Sequence, residues 1–244
     1  MSVYLQVLRT NRNFRRLWYG QVVSQIGDWL DSVALFTLLL KLTGSGQAVG
    51  LLFLAEFLPG AVVGPFAGVV VDRLPRKLVL IASDLGRAAL VLLLLLVNSR
   101  EDLWLLYLAV VAKVSLSAFF EPARSAILPS ICRREELVAA NAISGATWSA
   151  MLALGAALGG IVAGTLGVRA AFLLDAASFL LSAALIATVR IAPGPAHAGV
   201  TRARPSALVE LRDGLRYVLA HPAVRWLTFS KAIWSLGGGV LLLL

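Results

Sequence analysis

The sequence predicts an all-α membrane protein with six complete membrane-spanning helices and part of a seventh. Three observations predict this fold: the composition, a series of apolar runs of membrane length, and an uneven distribution of lysine and arginine. Of the 244 residues, 59% are hydrophobic and 14% are charged, whereas soluble chains carry about 25% charged residues. The mean hydropathy is +0.85. This composition excludes an ordinary cytosolic enzyme, a disordered tail and a secreted mini-protein.

Each of six apolar runs is long enough to cross a membrane, because about 20 helical residues span the hydrocarbon layer of roughly 30 Å. The runs are continuously apolar, whereas strands of a membrane barrel alternate apolar and polar residues over about ten positions. A seventh run begins near Val224 and is still apolar at Leu244. The predicted complete spans are 17–40, 49–71, 78–97, 103–120, 142–166 and 168–189.

Lysine and arginine residues predict the orientation of these spans. The connections are short, so consecutive helices are antiparallel and the loops alternate between two sides. Sixteen of the 22 basic residues fall on the side of the N-terminus, three on the other side and three within spans. Because cytoplasmic loops carry the excess of lysine and arginine, we expect a cytoplasmic N-terminus. The net charge of +9 is then mainly a topology signal, and we expect no nucleic-acid partner.

A polar interruption between the sixth and seventh runs predicts the domain organisation. Its first part, over 191–206, contains three prolines, and apolar residues at helical spacing follow over 207–220, with charged residues on the other faces. This pattern is typical of a basic amphipathic helix on the inner membrane surface, and it equally fits a helix packed on cytoplasmic loops. We expect a six-helix unit over 1–190, a cytoplasmic linker over 191–223 and a truncated seventh span over 224–244.

Polar residues form one stripe along the first predicted span. Their spacing of i, i+3, i+4 and i+7 places them on a single helix face. Polar groups inside a span are costly, so they usually face the protein interior or water. The stripe therefore predicts a water-filled pathway for substrate or protons, with a hydrogen-bonded seam between helices as the alternative. Its members are Gln21, Ser24, Gln25, Asp28 and Asp31 or Ser32.

Other charged residues lie deep in the predicted spans. Glu56 stands alone in the second span, where a carboxyl group either carries a proton or pairs with Lys113 and stabilises packing. Lys113, in the fourth span, is a candidate for binding an anionic substrate or for neutralising an acid. Asp84 and Arg87 are three residues apart, close enough for an ion pair. With Arg124, we expect these two residues to form a cytoplasmic charge network.

The sequence contains no recognisable catalytic or metal-binding motif. His197 and His221 both lie in the connection before the seventh run, so no Ser–His pair is available inside the membrane. A single cysteine excludes a disulfide framework and a cysteine-rich metal site. Arg133 would lower the thiol pKa of the adjacent Cys132, but without a partner we interpret Cys132 as an incidental loop thiol. We predict that the protein is not an enzyme and needs no cofactor or metal.

The loop between the second and third spans carries the most specific motif. It reads G-V-V-V-D-R-L-P-R-K over 68–77 and resembles the signature loop of the major facilitator superfamily, G-x-x-x-D-R-x-G-R-[KR], which lies at the same place. Pro75 stands where that pattern usually has glycine. Glycine at position 68 would let two helix ends approach closely. The resemblance implies a conformational gate loop formed by Gly68, Asp72, Arg73, Arg76 and Lys77.

Two further stretches extend the resemblance. The segments F-F-E-P-A-R-S-A-I-L-P-S over 119–130 and E-L-V-A-A-N-A over 136–142 resemble the branch of siderophore exporters and macrolide-type drug efflux proteins. In the fifth span, G-A-A-L-G-G over 155–160 is similar to the antiporter motif G-P-x-x-G-G, with Ala156 replacing proline. Small residues also permit close helix packing, which is the alternative role. The glycines concerned are Gly155, Gly159, Gly160 and Gly164.

The resemblance covers nearly the whole chain and implies the six-helix N-terminal bundle of a major facilitator fold plus a partial seventh helix. It implies a secondary transporter of two halves, with substrate near the midplane and alternating access. Members of this branch mostly export small molecules against proton entry. We therefore expect a proton-coupled exporter of hydrophobic or siderophore-like molecules, embedded in the bilayer of the bacterial cytoplasmic membrane.

Alternative functions and the extent of the chain follow from the same resemblance. An import symporter of the same fold is one alternative, and a non-transporting membrane scaffold or degenerate gene product is another. We expect the chain to be incomplete, so that its partner is a missing C-terminal half. The alternative is a half-transporter that pairs with a second subunit, because the polar stripe would otherwise face lipid.

Overall fold

The computed structural model describes residues 3–191 and 207–230. These residues fall into two compact units, one within 1–198 and the other within 199–244. All regular secondary structure in the described ranges is helical.

The first unit is a bundle of long apolar helices. Five of them are long and apolar enough to cross a membrane, and a sixth joins them if α6, which bends by 43° near residue 152, is counted as one span. The predicted all-α membrane fold is thus confirmed. The helices are α1 (Val3–Thr10), α2 (Arg12–Thr43), α3 (Gly46–Val71), α4 (Arg76–Leu93), α5 (Leu103–Ile131), α6 (Leu137–Thr165) and α7 (Val168–Ala187).

The ends of α2 follow local capping rules. The Asn11 side chain accepts a hydrogen bond from the backbone N–H of Phe14 at 2.9 Å, which satisfies a free donor of the first turn. Gly44 ends the helix with a φ of 62°, a left-handed conformation that favours glycine. These caps make α2 longer than the predicted span 17–40.

Helix α5 also continues well beyond its predicted end at residue 120. It runs through Pro122 and Pro129 to Ile131, although proline removes a backbone hydrogen bond from a helix. Packing explains the extension, because Ala123, Ile127 and Leu128 on this segment are buried in the bundle. The buried apolar surface offsets the hydrogen bonds that the prolines remove.

The buried core consists of two apolar clusters. One packs residues such as Leu35, Leu52 and Phe172, and the other packs residues such as Phe14 and Ile127 around the opposite ends of the same helices. Along α2, α4 and α5 most of the buried polar residues come between the segments that contribute to the two clusters; Asp31 and Arg124 lie just within those segments. The bundle therefore has a polar layer near the middle of its spans.

Two glycines of α6 allow it to lie against α2. A Cβ atom at Gly155 would overlap the Trp29 ring, and one at Gly159 would lie 2.7 Å from the Trp29 carbonyl oxygen. By contrast, a Cβ atom at Gly160 or Gly164 would meet nothing within 4 Å. Among the described residues, close helix packing is therefore a property of the first two glycines and not of the last two.

Gly68 also differs from the expectation of a close helix approach. A Cβ atom at this position would meet no atom within 4 Å among the described residues. The end of α3 packs into the bundle through Ala67 and Val71, which are buried, whereas Gly68 lies on a more open face of the same helix.

The second unit contains α8 (Ala207–Ala220) and a further helix over 222–230. The helix predicted over 207–220 is therefore present. The start of the predicted seventh span is helical as well, while its remainder over 231–244, like the linker residues 192–206, lies outside the described residues.

Candidate functional site

A cavity of about 740 Å³ lies beside the polar layer of the first unit. Side chains of α2, α3, α4, α5 and α6 line it. Its volume is in the range of pockets that hold drug-sized molecules, about 300–1,000 Å³. Of the residues predicted for a substrate or proton pathway, those that line it are Gln21, Gln25, Asp28, Glu56 and Lys113.

The polar stripe of α2 divides between the cavity and the protein interior. Asp28 and Ser32 line the cavity, whereas Asp31 is fully buried and forms an ion pair with Lys113. Successive residues turn by about 100° around a helix, so Asp31 points away from the face that Asp28 and Ser32 share. The charge of Lys113 is therefore neutralised by an acid of the bundle.

A second ion pair brings Arg87 to the cavity. Its guanidinium bonds to the buried carboxylate of Asp84, the pair that the sequence spacing indicated. It also lies 3.7 Å from the Asp28 carboxylate and stands over the rings of Phe120 and Phe179, at 4.8 and 4.2 Å from their centroids. Arg87 thus links Asp84, predicted for a cytoplasmic charge network, to a residue of the predicted pathway.

The third basic residue of the cavity, Arg124, pairs with Glu121 on the same helix. Its Nη2 lies 2.8 Å from Oε2 of Glu121. The arginine side chain is almost fully buried, whereas the glutamate side chain is exposed and lines the cavity. All three cations that line the cavity are therefore engaged by carboxylates of the described bundle.

Glu56 has no basic partner among the described residues. Its Oε1 accepts a hydrogen bond from the Ser32 hydroxyl at 3.4 Å. The alternative pairing with Lys113 is not present, because the ammonium group of Lys113 bonds to Asp31. Glu56 therefore presents a carboxyl group to the cavity without a neutralising ion pair.

Asp175 of α7 lies directly behind the cavity wall. It is fully buried, accepts a hydrogen bond from the Ser178 hydroxyl at 3.2 Å, and its second oxygen has no partner. Its carboxyl group packs against Gly27 of α2, where a Cβ atom would overlap it. The sequence contained a signal for this position, a charged residue inside an apolar span, but no spacing that assigned it to the site.

Aromatic side chains form a further part of the wall that sequence reasoning missed. Trp29 of α2, Phe57 of α3 and Trp148 of α6 line the cavity together with Phe120. Trp148 follows Ser144 by one helical turn, so these residues share a face of α6. That spacing was visible in the sequence, but α6 carries no charged residue that would have drawn attention to the face.

The predicted gate loop contacts α5 and the C-terminal end of α7. Arg76 donates a hydrogen bond to the Ala126 carbonyl of α5 at 2.8 Å. Lys77 donates to the carbonyls of Ala187 and Val189, at 2.6 and 2.9 Å, where α7 ends. A cation at a helix C-terminus is favourable because the helix dipole is negative there. Asp72 and Arg73 occupy the turn between α3 and α4.

Near the same end of the bundle, Cys132 is buried between α5 and α6. Burial, with a smaller contribution from Glu136, raises the pKa of its thiol to about 11. Desolvation therefore outweighs the lowering expected from the adjacent Arg133. In the part of the chain that the structure describes, no group of three or more His, Cys, Asp or Glu residues could hold a metal ion.

Comparison with known families decides which fold this bundle represents. The sequence profile of the Major Facilitator Superfamily matches residues 17–244. The chain belongs to the major facilitator superfamily. The resemblance inferred from the loop over 68–77 is thereby confirmed, and the six spans correspond to the N-terminal bundle of this transporter fold.

Relatives in this superfamily include named efflux proteins. The chain is 27% identical over 217 residues to the uncharacterized transporter YfiS of Bacillus subtilis, covering 88% of this chain and 51% of that protein. It is 29% identical over 180 residues to macrolide efflux protein A of Streptococcus pyogenes, covering 73% and 44%. It is 31% identical over 226 residues to the multidrug efflux pump Tap of Mycolicibacterium fortuitum, covering 88% and 54%.

The chain spans about half the length of the curated relatives it matches. No solved structure matches it with significant similarity. Membership of the superfamily makes the protein a multi-pass membrane protein of a transporter family.

Proposed function

We propose that the protein is a secondary active transporter that exports hydrophobic or siderophore-like small molecules in exchange for protons. The observation that carries this proposal is the cavity at the middle of the spans, where the carboxyl groups of Asp28 and Glu56 face open space. A carboxyl group in such a position can bind a proton and release it again. The efflux activity named for two of the relatives supports export as the direction.

In this proposal the cavity is half of a central binding site. Major facilitator transporters bind substrate between two bundles and alternate access by rocking one against the other. The second wall would come from a C-terminal half or from a second subunit. The orientation would place the N-terminus in the cytoplasm, as the excess of basic residues on that side indicates.

The gate loop would act through the contacts of Arg76 and Lys77. These side chains hold carbonyl groups of α5 and α7 at one end of the bundle. If the rocking motion changes the spacing of the helix ends, these hydrogen bonds would break and form between the two states. The loop would thereby stabilise one state relative to the other.

Everted membrane vesicles from cells that produce the protein from its own gene test the function. An imposed pH gradient, acid inside, should drive uptake of a macrolide or of the neutral dye Nile red, and either substrate should in turn release protons from the lumen. Asp28→Asn or Glu56→Gln should abolish this exchange while the protein is still inserted. Glu101→Gln, an exposed acid outside the cavity, removes the same charge and should leave exchange intact.

The same assay separates the alternatives. Proton movement in the same direction as the substrate would identify an import symporter of this fold. If vesicles containing the protein show no substrate-dependent proton flux, and Asp28→Asn changes nothing, the transporter proposal is wrong and a scaffold role takes its place.

A further inference from the structure

The charges that a molecule in the cavity can touch are mainly negative. The side chains of Arg87, Lys113 and Arg124 line the cavity but are only 4, 7 and 10% exposed. Those of Asp28 and Glu121 are 37 and 58% exposed. The cations are thus covered by the bundle, whereas two carboxylates are accessible.

The pairing of these charges leaves acids in excess. Lys113 is bound by Asp31, and Arg87 is shared between Asp84 and the more distant Asp28. The Nη1 atom of Arg124 has no hydrogen-bond partner, but its Nε and Nη2 groups donate hydrogen bonds to Glu121. Among the described residues at or directly behind the cavity wall, the three bases face six acids: Asp28, Asp31, Glu56, Asp84, Glu121 and Asp175.

Two polar atoms of the wall residues also lack hydrogen-bond partners. The Ser144 hydroxyl oxygen lines the cavity in a side chain that is only 3% exposed, and it has no hydrogen-bond partner. The amide oxygen Oε1 of Gln25, in the same wall, has none either. An unpaired buried polar atom is costly. The amide oxygen can only accept a hydrogen bond and so favours a ligand that brings N–H donors, whereas the hydroxyl can donate as well as accept.

Aromatic residues form another part of the wall. Trp148 is 54% exposed and Phe57 is 62% exposed, and both residues line the cavity. Aromatic faces attract organic cations and also bury apolar groups. They differ in this respect from Phe120, whose ring already lies against Arg87.

We infer that the cavity takes a lipophilic protonated amine: an ammonium group placed near Asp28 and Glu56, with an apolar body against Trp148 and Phe57. This inference rests on the proposed function, which it narrows from hydrophobic or siderophore-like molecules to organic cations. An anion of the same size would meet accessible carboxylates and cations that are already paired. A neutral molecule would keep the aromatic contacts and lose the contact with the carboxylates.

Three probes with the same diphenylmethyl body test the inference: 2,2-diphenylethylamine as the cation, 2,2-diphenylethanol as the neutral molecule and diphenylacetate as the anion. Binding to the purified chain in lipid nanodiscs is followed by tryptophan fluorescence, with empty nanodiscs subtracted. We expect the ammonium probe to bind about tenfold more tightly than the alcohol, the change that one partly screened charge contact produces. Diphenylacetate should bind most weakly.

Variants locate the binding. Asp28→Asn combined with Glu56→Gln should lower the affinity for the ammonium probe about tenfold and leave the alcohol unchanged. Glu101→Gln should change neither affinity. Because asparagine and glutamine keep the shapes of the acids, folding should persist, and the unchanged alcohol affinity verifies that it does.

Equal or tighter binding of diphenylacetate, no binding of any probe, or an ammonium affinity that the double variant leaves unchanged would overturn the inference. The vesicle assay distinguishes a failure of the substrate class from a failure of the proposed function. Proton-coupled exchange of Nile red without charge-selective binding would leave the function standing and refute the substrate class. Charge-selective binding without proton-coupled exchange of any substrate would refute the proposed function and leave the substrate class standing.

Discussion

Replacing Gly159 by alanine should separate α6 from α2 and destabilise the bundle. The added Cβ would lie 2.7 Å from the Trp29 carbonyl oxygen and 2.8 Å from Cγ2 of Val33, where ordinary contacts between carbon atoms are about 3.5–4.0 Å. A backbone carbonyl cannot rotate away, so the helices must move apart. Overpacking of this kind costs about 1–3 kcal/mol in free energy of unfolding.

Gly160→Ala is the matched control, because its Cβ would meet nothing within 4 Å. Both variants gain the same helix propensity, up to about 1 kcal/mol, so their difference isolates the steric cost. The free energies of unfolding are measured by denaturing-detergent titration in bicelles, and we expect Gly159→Ala to be less stable than Gly160→Ala by about 1–3 kcal/mol. Equal stability of the two variants would refute the packing of α2 against α6.

Three further predictions concern single side chains. Arg87→Leu should lower the free energy of unfolding by about 3–5 kcal/mol because it leaves the buried Asp84 unpaired, and adding Asp84→Asn should restore part of the loss in the same titration. Labelling of Cys132 by maleimide at neutral pH should be much slower in the folded than in the unfolded chain and should rise towards pH 11, because burial raises its pKa to about 11. Hydrogen bonds lower the pKa of the Asp102 carboxyl group. The largest contribution comes from the Asn98 backbone N–H, and smaller ones come from Ser99. The stabilisation from Asp102 is therefore present above about pH 4, its unfolded range, and is lost as the pH falls further. Asp102→Asn should remove that part of the acid dependence of thermal stability.

The sequence predicted the spans well because the membrane thickness sets the length of the apolar runs, and the basic residues of the loops follow the orientation in the membrane. It predicted their ends less well where packing outweighs local signals. Two prolines of α5, Pro122 and Pro129, argue locally for a helix end, yet the buried Ile127 between them keeps the helix intact. Only the contacts of that segment with the rest of the bundle reveal this outcome.

The candidate site was predicted as a set of residues but not as an arrangement. Helical spacing left Asp31 and Ser32 as alternatives on the same stripe, and only the position of Lys113 on α5 determines which one turns inward. The role of Trp148 depends on the bend and rotation of α6, to which no periodic charge pattern points. Likewise, four glycines of α6 look equivalent in sequence, while their neighbours in space separate Gly155 and Gly159 from the others.

The proposed function requires that acids embedded in apolar helices line an aqueous route. Cysteine accessibility tests it most directly, in a Cys132→Ser background that removes the single native thiol. Gln25→Cys and Ser117→Cys lie on the cavity wall, whereas Leu180→Cys lies on an exposed apolar face of α7 outside it. A water-soluble charged methanethiosulfonate should label the two cavity cysteines rapidly in intact membranes and leave the cysteine at position 180 unmodified. Cavity cysteines as unreactive as the one at position 180 would contradict the account.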